Sequence, residues 1–204
     1  MFRSPVVLFT WLQGATFYCD LHARAVSLLP AGEGREWLDF GTGPGLVARL
    51  AAARGYRAVG IDSDARMIRA AQRLARCLGS PARFRTGSVF DARPESAHVV
   101  SACSLLAVVP DKERAVHALW STVQPGGTLL IVEPTDRMEP ANAASAIESG
   151  LPAKRILGLR LWAAARAGRA VPPSTWDSLP AASKSRVDLL AGLVTAWCLH
   201  KGVA

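Results

Sequence analysis

The stretch Trp37-Leu38-Asp39-Phe40-Gly41-Thr42-Gly43-Pro44-Gly45 decides the fold of this chain. An apolar run ends in an acid, three glycines follow at alternate positions, and a helical pattern begins at Leu46. This order predicts a strand, a tight turn and a helix start, where backbone can come close to a nucleotide-like ligand. The spacing is G-x-G-x-G, and Leu46 stands where the dinucleotide fingerprint G-x-G-x-x-G requires glycine.

Strand and helix patterns alternate after this turn. The patterns predict a parallel sheet with helices on both faces, which is the α/β, doubly wound, Rossmann-like class. A strand-like run at 186–200, with Gly192 as a turn or bulge, predicts one or two final strands that close the sheet antiparallel. Strands are expected at 36–40, 57–61, 82–86, 97–102 and 128–133, a turn at 124–127, and helices at 44–54, 64–78 (with Ser63 as its cap) and 111–123.

The length of 204 residues favours one domain. Ser4 followed by Pro5 is typical of a helix start, so residues 1–30 are expected to form a helical cap of one or two helices with Gly14 as a break. The regions that follow are a core at 35–133, a helical lid at 134–180 and C-terminal strands at 185–200.

Composition narrows the class of protein further. The net charge of +8 comes mainly from arginines that are spread along the chain, which allows a nucleic-acid partner without favouring one. Four scattered cysteines without metal-ligand spacing indicate neither a zinc site nor a disulfide framework, and no metal is expected. No apolar run is long enough for a transmembrane segment and no signal peptide is evident, so a cytoplasmic protein is expected, with its oligomeric state left open.

Asp62 ends the second predicted strand, 17 residues after Gly45. An acid there faces the glycine turn across the crevice and can accept hydrogen bonds from the hydroxyls of a ribose. Nicotinamide cofactors are held in the same way, so Asp62 does not distinguish between cofactors. The alternative is an exposed acid that caps the following helix.

The order of motifs resembles the class I methyltransferases that use S-adenosylmethionine. The glycine turn is similar to motif I of that family, and the resemblance covers about residues 35–133. It implies that the cofactor lies against Asp39, Gly41, Thr42, Gly43 and Gly45. The later segments that carry the resemblance are Val59-Gly60-Ile61-Asp62, Phe84-Arg85-Thr86-Gly87-Ser88-Val89-Phe90-Asp91, Val99-Val100-Ser101-Ala102-Cys103-Ser104-Leu105-Leu106 and Gln124-Pro125-Gly126-Gly127-Thr128-Leu129-Leu130-Ile131-Val132-Glu133.

The same resemblance assigns the rest of the cofactor site. Asp62 and Ser63 would hold the ribose, Ser88 and Val89 would flank the adenine, and an N-terminal residue, Tyr18 or Arg24, would reach the methionine carboxylate. Three residues at the end of the fourth strand would line the methionine and methyl end of the cofactor: Ala102, Cys103 and Ser104. Cys103 is interpreted as a small wall residue rather than a nucleophile, because the proline that precedes the nucleophilic cysteine of the base-C5 DNA enzymes is missing.

The catalytic residues are less well defined. Methyl transfer from a sulfonium needs mainly positioning and a dry site, and a base is needed chiefly when oxygen is the acceptor. Glu133, at the end of the fifth strand, is the preferred candidate, ahead of His98, His117 and Asp111. Four aromatic side chains are candidates for a substrate lid or for core packing: Trp11, Phe17, Trp162 and Trp176.

We therefore expect a methyltransferase that acts on an O, N or S atom of a small molecule. The alternatives are an RNA or protein methyltransferase, a nicotinamide-dependent oxidoreductase, and a non-catalytic binding module on the same fold. A basic amphipathic helix at about 152–169 also allows peripheral contact with a membrane and a lipid or quinone substrate.

Overall fold

A seven-stranded sheet forms the centre of the molecule in the computed structural model, which describes residues 5–151 and 157–203. The first four strands coincide with the segments whose apolar pattern predicted them, to within about one residue at each end, and the fifth begins at Val123 rather than at Thr128. The strands are β1 (Glu36–Phe40), β2 (Arg57–Asp62), β3 (Arg83–Thr86), β4 (Ala97–Cys103), β5 (Val123–Pro134), β6 (Ser183–Leu189) and β7 (Val194–His200).

The strand order in the sheet is β3-β2-β1-β4-β5-β7-β6. Strands β1 to β5 pair in parallel, whereas β7 runs antiparallel to both β5 and β6. The order reverses between β1 and β4, and in such sheets ligands bind in the crevice beyond the carboxyl ends of the strands at this switch point. The predicted doubly wound fold with an antiparallel C-terminal strand is confirmed.

Helices cover both faces of the sheet. Two N-terminal helices separated near Gly14 agree with the predicted helical cap. The predicted cap residue Ser4 and residues 152–156 of the predicted basic helix lie outside the described part of the chain. The helices are α1 (Pro5–Leu12), α2 (Thr16–Ser27), α3 (Leu46–Ala53), α4 (Ala65–Cys77), α5 (Lys112–Thr122), α6 (Pro140–Glu148), α7 (Leu157–Arg166) and α8 (Ser174–Asp177).

Two local predictions are corrected. Helix α4 is capped by Asp64, whose side chain accepts a hydrogen bond from the Arg66 amide, and not by Ser63. The residues at 124–127 do not precede the fifth strand but form an excursion within it. The pairing with β4 passes from Ala97–Val123 to Val99–Thr128, so β5 has three more residues than β4 over this interval.

The core lies on both faces of the sheet, because neighbouring residues of the buried strand β4 contribute to opposite faces. Val99 belongs to the cluster packed by α1–α3, α6 and α7, and Val100 belongs to the cluster packed by α5. Phe17 and Trp162 are at most 2% exposed and stack on each other, with ring centroids 6.5 Å apart. These aromatic residues are therefore core residues rather than a substrate lid.

Trp176 is also a core residue, since it is 1% exposed and packs edge-on against Trp197. Trp11 is half-buried beside Gly158. Within the described ranges, no helix is long and apolar enough to cross a membrane.

Candidate functional site

A cavity of about 840 Å³ opens at the carboxyl ends of β1 to β4. The switch point of the sheet forms its floor, and helices α1, α2 and α7 form its far wall. The sheet side contributes Asp39, Gly41, Thr42, Gly43, Asp62, Ser63, Met67, Ser88, Val89, Phe90, Cys103 and Leu105, and the helical side contributes Leu8, Phe9, Gln13, Tyr18, His22, Arg166 and Arg169.

The glycine turn forms the middle of the cavity floor. Gly43 has φ +52°, and an added Cβ would meet no atom within 4 Å, so this position is open. Gly45 has φ +84° and serves packing instead, because an added Cβ would lie 2.4 Å from the Phe84 ring. Gly45 lies at the start of α3 and does not line the cavity. Its predicted cofactor contact stays a prediction, and the structure adds a helix-packing role.

Asp39 holds the glycine turn from below. Its carboxylate accepts hydrogen bonds from the Thr42 hydroxyl at 2.6 Å and the Ser101 hydroxyl at 2.7 Å. The Ser101 oxygen in turn accepts from Trp37 Nε1 at 2.8 Å. Burial raises the pKa of Asp39 to about 6, although both hydroxyls oppose that rise. The network fixes the turn by linking β1 to β4.

Asp62 bridges the glycine turn and the start of α4. Its Oδ2 accepts a hydrogen bond from the Gly43 amide and its Oδ1 accepts one from the Asp64 amide, each at 2.9 Å. The carboxylate is half-buried and lines the cavity together with Ser63. Because each carboxylate oxygen can accept more than one hydrogen bond, both oxygens keep capacity for a ligand's hydroxyl groups.

The segment after β3 forms another part of the wall. Ser88 Oγ accepts from the Phe90 amide at 3.2 Å and thereby caps a short 3₁₀ turn, while Val89 is buried against the cavity. Phe90 also lines the cavity, and the Arg114 guanidinium lies 4.5 Å from its ring centroid. Sequence reasoning missed Phe90, although it stands in the quoted motif.

Two of the three residues predicted at the end of β4 separate. Cys103 lines the cavity, whereas Ala102 is fully buried in the core cluster on the α5 face. The assignment of Ala102 to the cofactor wall is therefore wrong, because successive strand residues point to opposite faces. Burial raises the pKa of the Cys103 thiol well above its ordinary value, and the charges of Asp39 and Glu133 add to the rise. A protonated thiol is a poor nucleophile.

Glu133 lies beneath the loop that follows β4, outside the residues that line the cavity. It is 1% exposed, and its two oxygens accept hydrogen bonds from the Leu106 amide at 2.7 Å and the Ala107 amide at 3.3 Å. Burial raises the pKa of Glu133 to about 8, against the effect of these amides. The prediction that Glu133 faces the substrate is wrong, because the loop covers the end of β5.

The other candidate bases are not among the residues that line the cavity. His98 lies near the beginning of β4, at the opposite end of the strand, where it contacts Arg35 and Gln124. His117 is on the exposed side of α5, and Asp111 caps the same helix by accepting from the Arg114 amide. Among the described residues, no group of three or more His, Cys, Asp or Glu side chains is placed to hold a metal ion.

Two side chains of α2, those of Tyr18 and His22, contribute polar groups to the far wall. Tyr18 lines the cavity, and its ring lies 4.4 Å from that of His22; its contact with the methionine carboxylate stays a prediction. His22 Nδ1 lies 2.8 Å from the Tyr18 carbonyl oxygen, so Nδ1 carries the hydrogen and Nε2 is free to accept. Burial lowers the pKa of His22 to about 4 and raises that of Tyr18. The other N-terminal candidate, Arg24, is exposed beside a different groove.

His22 and Arg166 are cavity residues that sequence reasoning missed. His22 follows Tyr18 by one helical turn on an otherwise apolar face of α2, which was a usable signal. Arg166 is the last residue of α7 and is 8% exposed. No local pattern distinguishes it from the other arginines.

The sheet order, the glycine turn and the acid that ends β2 are the shared features of one class of enzymes. Residues 10–176 match the family model described as a methyltransferase domain. The chain therefore belongs to the methyltransferase family, and the predicted membership of the class I, S-adenosylmethionine-dependent group is confirmed.

Individual relatives resemble parts of the chain. It is 34% identical over 97 residues to a ubiquinone biosynthesis O-methyltransferase of Chromobacterium violaceum, an alignment that covers 46% of this chain and 42% of the relative. It is 30% identical over 183 residues to a trans-aconitate 2-methyltransferase of Methylobacterium radiotolerans, covering 82% and 64%. The chain thus spans less than two thirds of these relatives.

A solved structure extends the likeness of fold to nearly the whole chain. The S-adenosylmethionine-dependent methyltransferase of Aquifex aeolicus superposes with a TM-score of 0.62 at 12% identity, and the match covers 94% of this chain and 92% of that one. At this level of identity the likeness concerns the fold.

Proposed function

We propose that this protein transfers the methyl group of S-adenosylmethionine to an O, N or S atom of a small molecule and releases S-adenosylhomocysteine. The observation that carries the proposal is the cavity of about 840 Å³ at the switch point, which joins the glycine turn and Asp62 to a separate wall of helices. Small-molecule sites are typically about 300–1,000 Å³, so the volume suits a cofactor with a small acceptor beside it.

The cofactor would lie across the glycine turn. Asp62 would accept hydrogen bonds from the ribose hydroxyls, since the Gly43 and Asp64 amides already orient its carboxylate. The adenine would lie between the apolar side chains of Met67 and Val89 beside Ser88, in the part of the cavity farther along the sheet towards β3.

The methionine end of the cofactor would extend over Gly41 and Thr42 towards Cys103. Asp39 supports this part of the floor through Thr42, and it is itself 1% exposed. We therefore assign Asp39 a role in positioning the turn.

The transfer is an in-line displacement. A lone pair of the acceptor atom forms the new bond to the methyl carbon as the carbon–sulfur bond breaks, and the electron pair of the broken bond stays on sulfur and neutralises the sulfonium. An acceptor atom that carries a hydrogen releases it as a proton to solvent. The residues of this chain contribute alignment and exclusion of water, which suit a reaction of this type. His22 lines the cavity, and its neutral Nε2 would orient an O–H or N–H group of the acceptor molecule.

The names of the relatives support a small acceptor, since they denote enzymes of ubiquinone biosynthesis and of trans-aconitate methylation. Calorimetric titration with S-adenosylmethionine and with NAD tests the cofactor. We expect the protein to bind S-adenosylmethionine and not NAD, and a preference for NAD would refute the proposal. RNA binding that weakens steeply with salt would instead favour a macromolecular substrate.

A further inference from the structure

Arg166 is a buried cation in the far wall of the cavity. It ends α7, is 8% exposed and lines the cavity, and its guanidinium lies 5.4 Å from the ring centroid of Phe9. Burial lowers its pKa, while the nearby Glu133 and Tyr18 raise it and Arg169 lowers it. A guanidinium nevertheless stays charged in proteins, because its ordinary pKa lies far above neutral pH.

The charge has no partner within the described protein. Arg166 belongs to none of the ion pairs found among residues 5–151 and 157–203, and its buried Nε has no hydrogen-bond partner there. Glu133 is the acid whose charge raises the pKa of Arg166, but no ion pair joins the two side chains, and the Glu133 oxygens accept hydrogen bonds from the Leu106 and Ala107 amides. A buried charge without a partner is costly, and proteins normally pair such a charge or place it for a ligand.

We infer that Arg166 binds a carboxylate of a ligand in the cavity. The guanidinium matches a carboxylate through two parallel hydrogen bonds, and desolvation strengthens such a pair. Arg169, which also lines the cavity, adds positive charge at the same wall. The inference rests on the proposed function and specifies its ligand chemistry: the carboxylate belongs either to the methyl acceptor or to the amino-acid tail of the cofactor.

Three variants test the inference. Arg166→Gln removes the charge and Arg166→Lys keeps it without the planar fork. Arg160→Gln makes the same charge change on the same helix, at an exposed residue that does not line the cavity. Each variant is titrated calorimetrically with S-adenosylhomocysteine and with 5′-methylthioadenosine, which lacks the carboxylate. Protein saturated with S-adenosylhomocysteine is then titrated with benzoate and with its neutral analogue benzamide.

If the carboxylate is the acceptor's, Arg166→Gln lowers benzoate affinity at least about tenfold and leaves both cofactor analogues and benzamide unchanged. If it is the cofactor's, Arg166→Gln lowers S-adenosylhomocysteine affinity by that factor but not that of 5′-methylthioadenosine. Arg166→Lys should fall between wild type and Arg166→Gln, and Arg160→Gln should stay within about twofold of wild type.

The inference is overturned if Arg166→Gln changes neither benzoate nor S-adenosylhomocysteine binding. If Arg166→Gln does not fold, Arg166→Lys decides by the same comparison. Wild-type protein that binds neither cofactor analogue would refute the proposed function instead.

Discussion

Replacing Asp62 by Asn tests the ribose assignment most directly. The substitution keeps the shape of the side chain and one carbonyl oxygen, but it removes the charge that two ribose hydroxyls would share. The Gly43 and Asp64 amides now donate to the two oxygens at 2.9 Å each, so the carboxylate is held in one orientation before the ligand arrives. The binding free energy that Asp62→Asn removes should therefore come from the hydrogen bonds to the ribose hydroxyls and from those to the Gly43 and Asp64 amides.

The magnitude follows from the type of bond that is lost. A hydrogen bond to a charged group contributes about 1.5–3 kcal/mol, and a neutral one about 0.5–1.5 kcal/mol. Weakening one or two ribose bonds in this way should cost about 1–3 kcal/mol, which is a rise of about 5-fold to 150-fold in Kd for S-adenosylmethionine.

A double cycle separates the ribose contribution from any change in the turn. Wild type and Asp62→Asn are titrated with S-adenosylhomocysteine and with its 2′-deoxy analogue, and the penalty of the substitution should shrink for the analogue. Asp136→Asn is the matched control, because it makes the same change at an exposed residue that does not line the cavity. An equal penalty for both ligands, or no penalty, would refute the ribose assignment.

Three further outcomes are expected from buried positions. Gly45→Ala should lower the free energy of unfolding by about 2–4 kcal/mol in urea titrations, since φ is +84° and the Phe84 ring blocks a Cβ; a neutral result would contradict the packing role. Burial raises the folded pKa of Glu133 to about 8, so the stability of wild type relative to Glu133→Gln should fall from about pH 4.5 to 8; parallel pH profiles would argue against a buried acid. Burial lowers the folded pKa of His22 to about 4, so the stability of wild type relative to His22→Gln, measured by thermal unfolding, should fall by up to about 3 kcal/mol as the pH falls from 6.5 to 4.

The fold was predictable because its signals are local. The alternation of apolar strands with amphipathic helices fixes a parallel sheet, and the carboxyl ends of such strands meet at one edge. Asp39, Gly43 and Asp62 are therefore brought together by topology, although they are spread over 24 residues of sequence. The hydrogen bond from the Gly43 amide to the Asp62 carboxylate shows that these two residues lie side by side, as the topology predicts.

The orientation of strand-end residues was not predictable in the same way. Strand β4 is buried on both faces, so its apolar run gives no alternation that would tell Ala102 from Cys103. The prediction that Glu133 faces the substrate was wrong for a different reason. The loop after β4 folds over the end of β5, and its amides occupy the carboxyl oxygens.

The helical wall was even less accessible from sequence. Tyr18 and Arg166 are separated by almost 150 residues, and their electrostatic interaction depends on how α2 and α7 pack. Trp162, one turn before Arg166 on α7, packs edge-on against Tyr18 with ring centroids 5.2 Å apart. Aromatic packing between the helices therefore sets the position of the cation, and packing of this kind leaves no motif.

The sheet side and the helical side of the cavity are built from different parts of the chain. Substitutions on the two sides should therefore affect different ligands. The sheet side is built from turns that the topology requires, and substitutions there should alter cofactor affinity. The helical side contributes His22 and Arg166 from elements outside the 35–133 core. If Arg166 serves the acceptor, substitutions at these two positions should change kcat/KM for the acceptor while leaving the Kd of S-adenosylmethionine within about twofold, because most interactions at separate sites are independent. Parallel losses in both quantities would instead assign Arg166 to the cofactor tail.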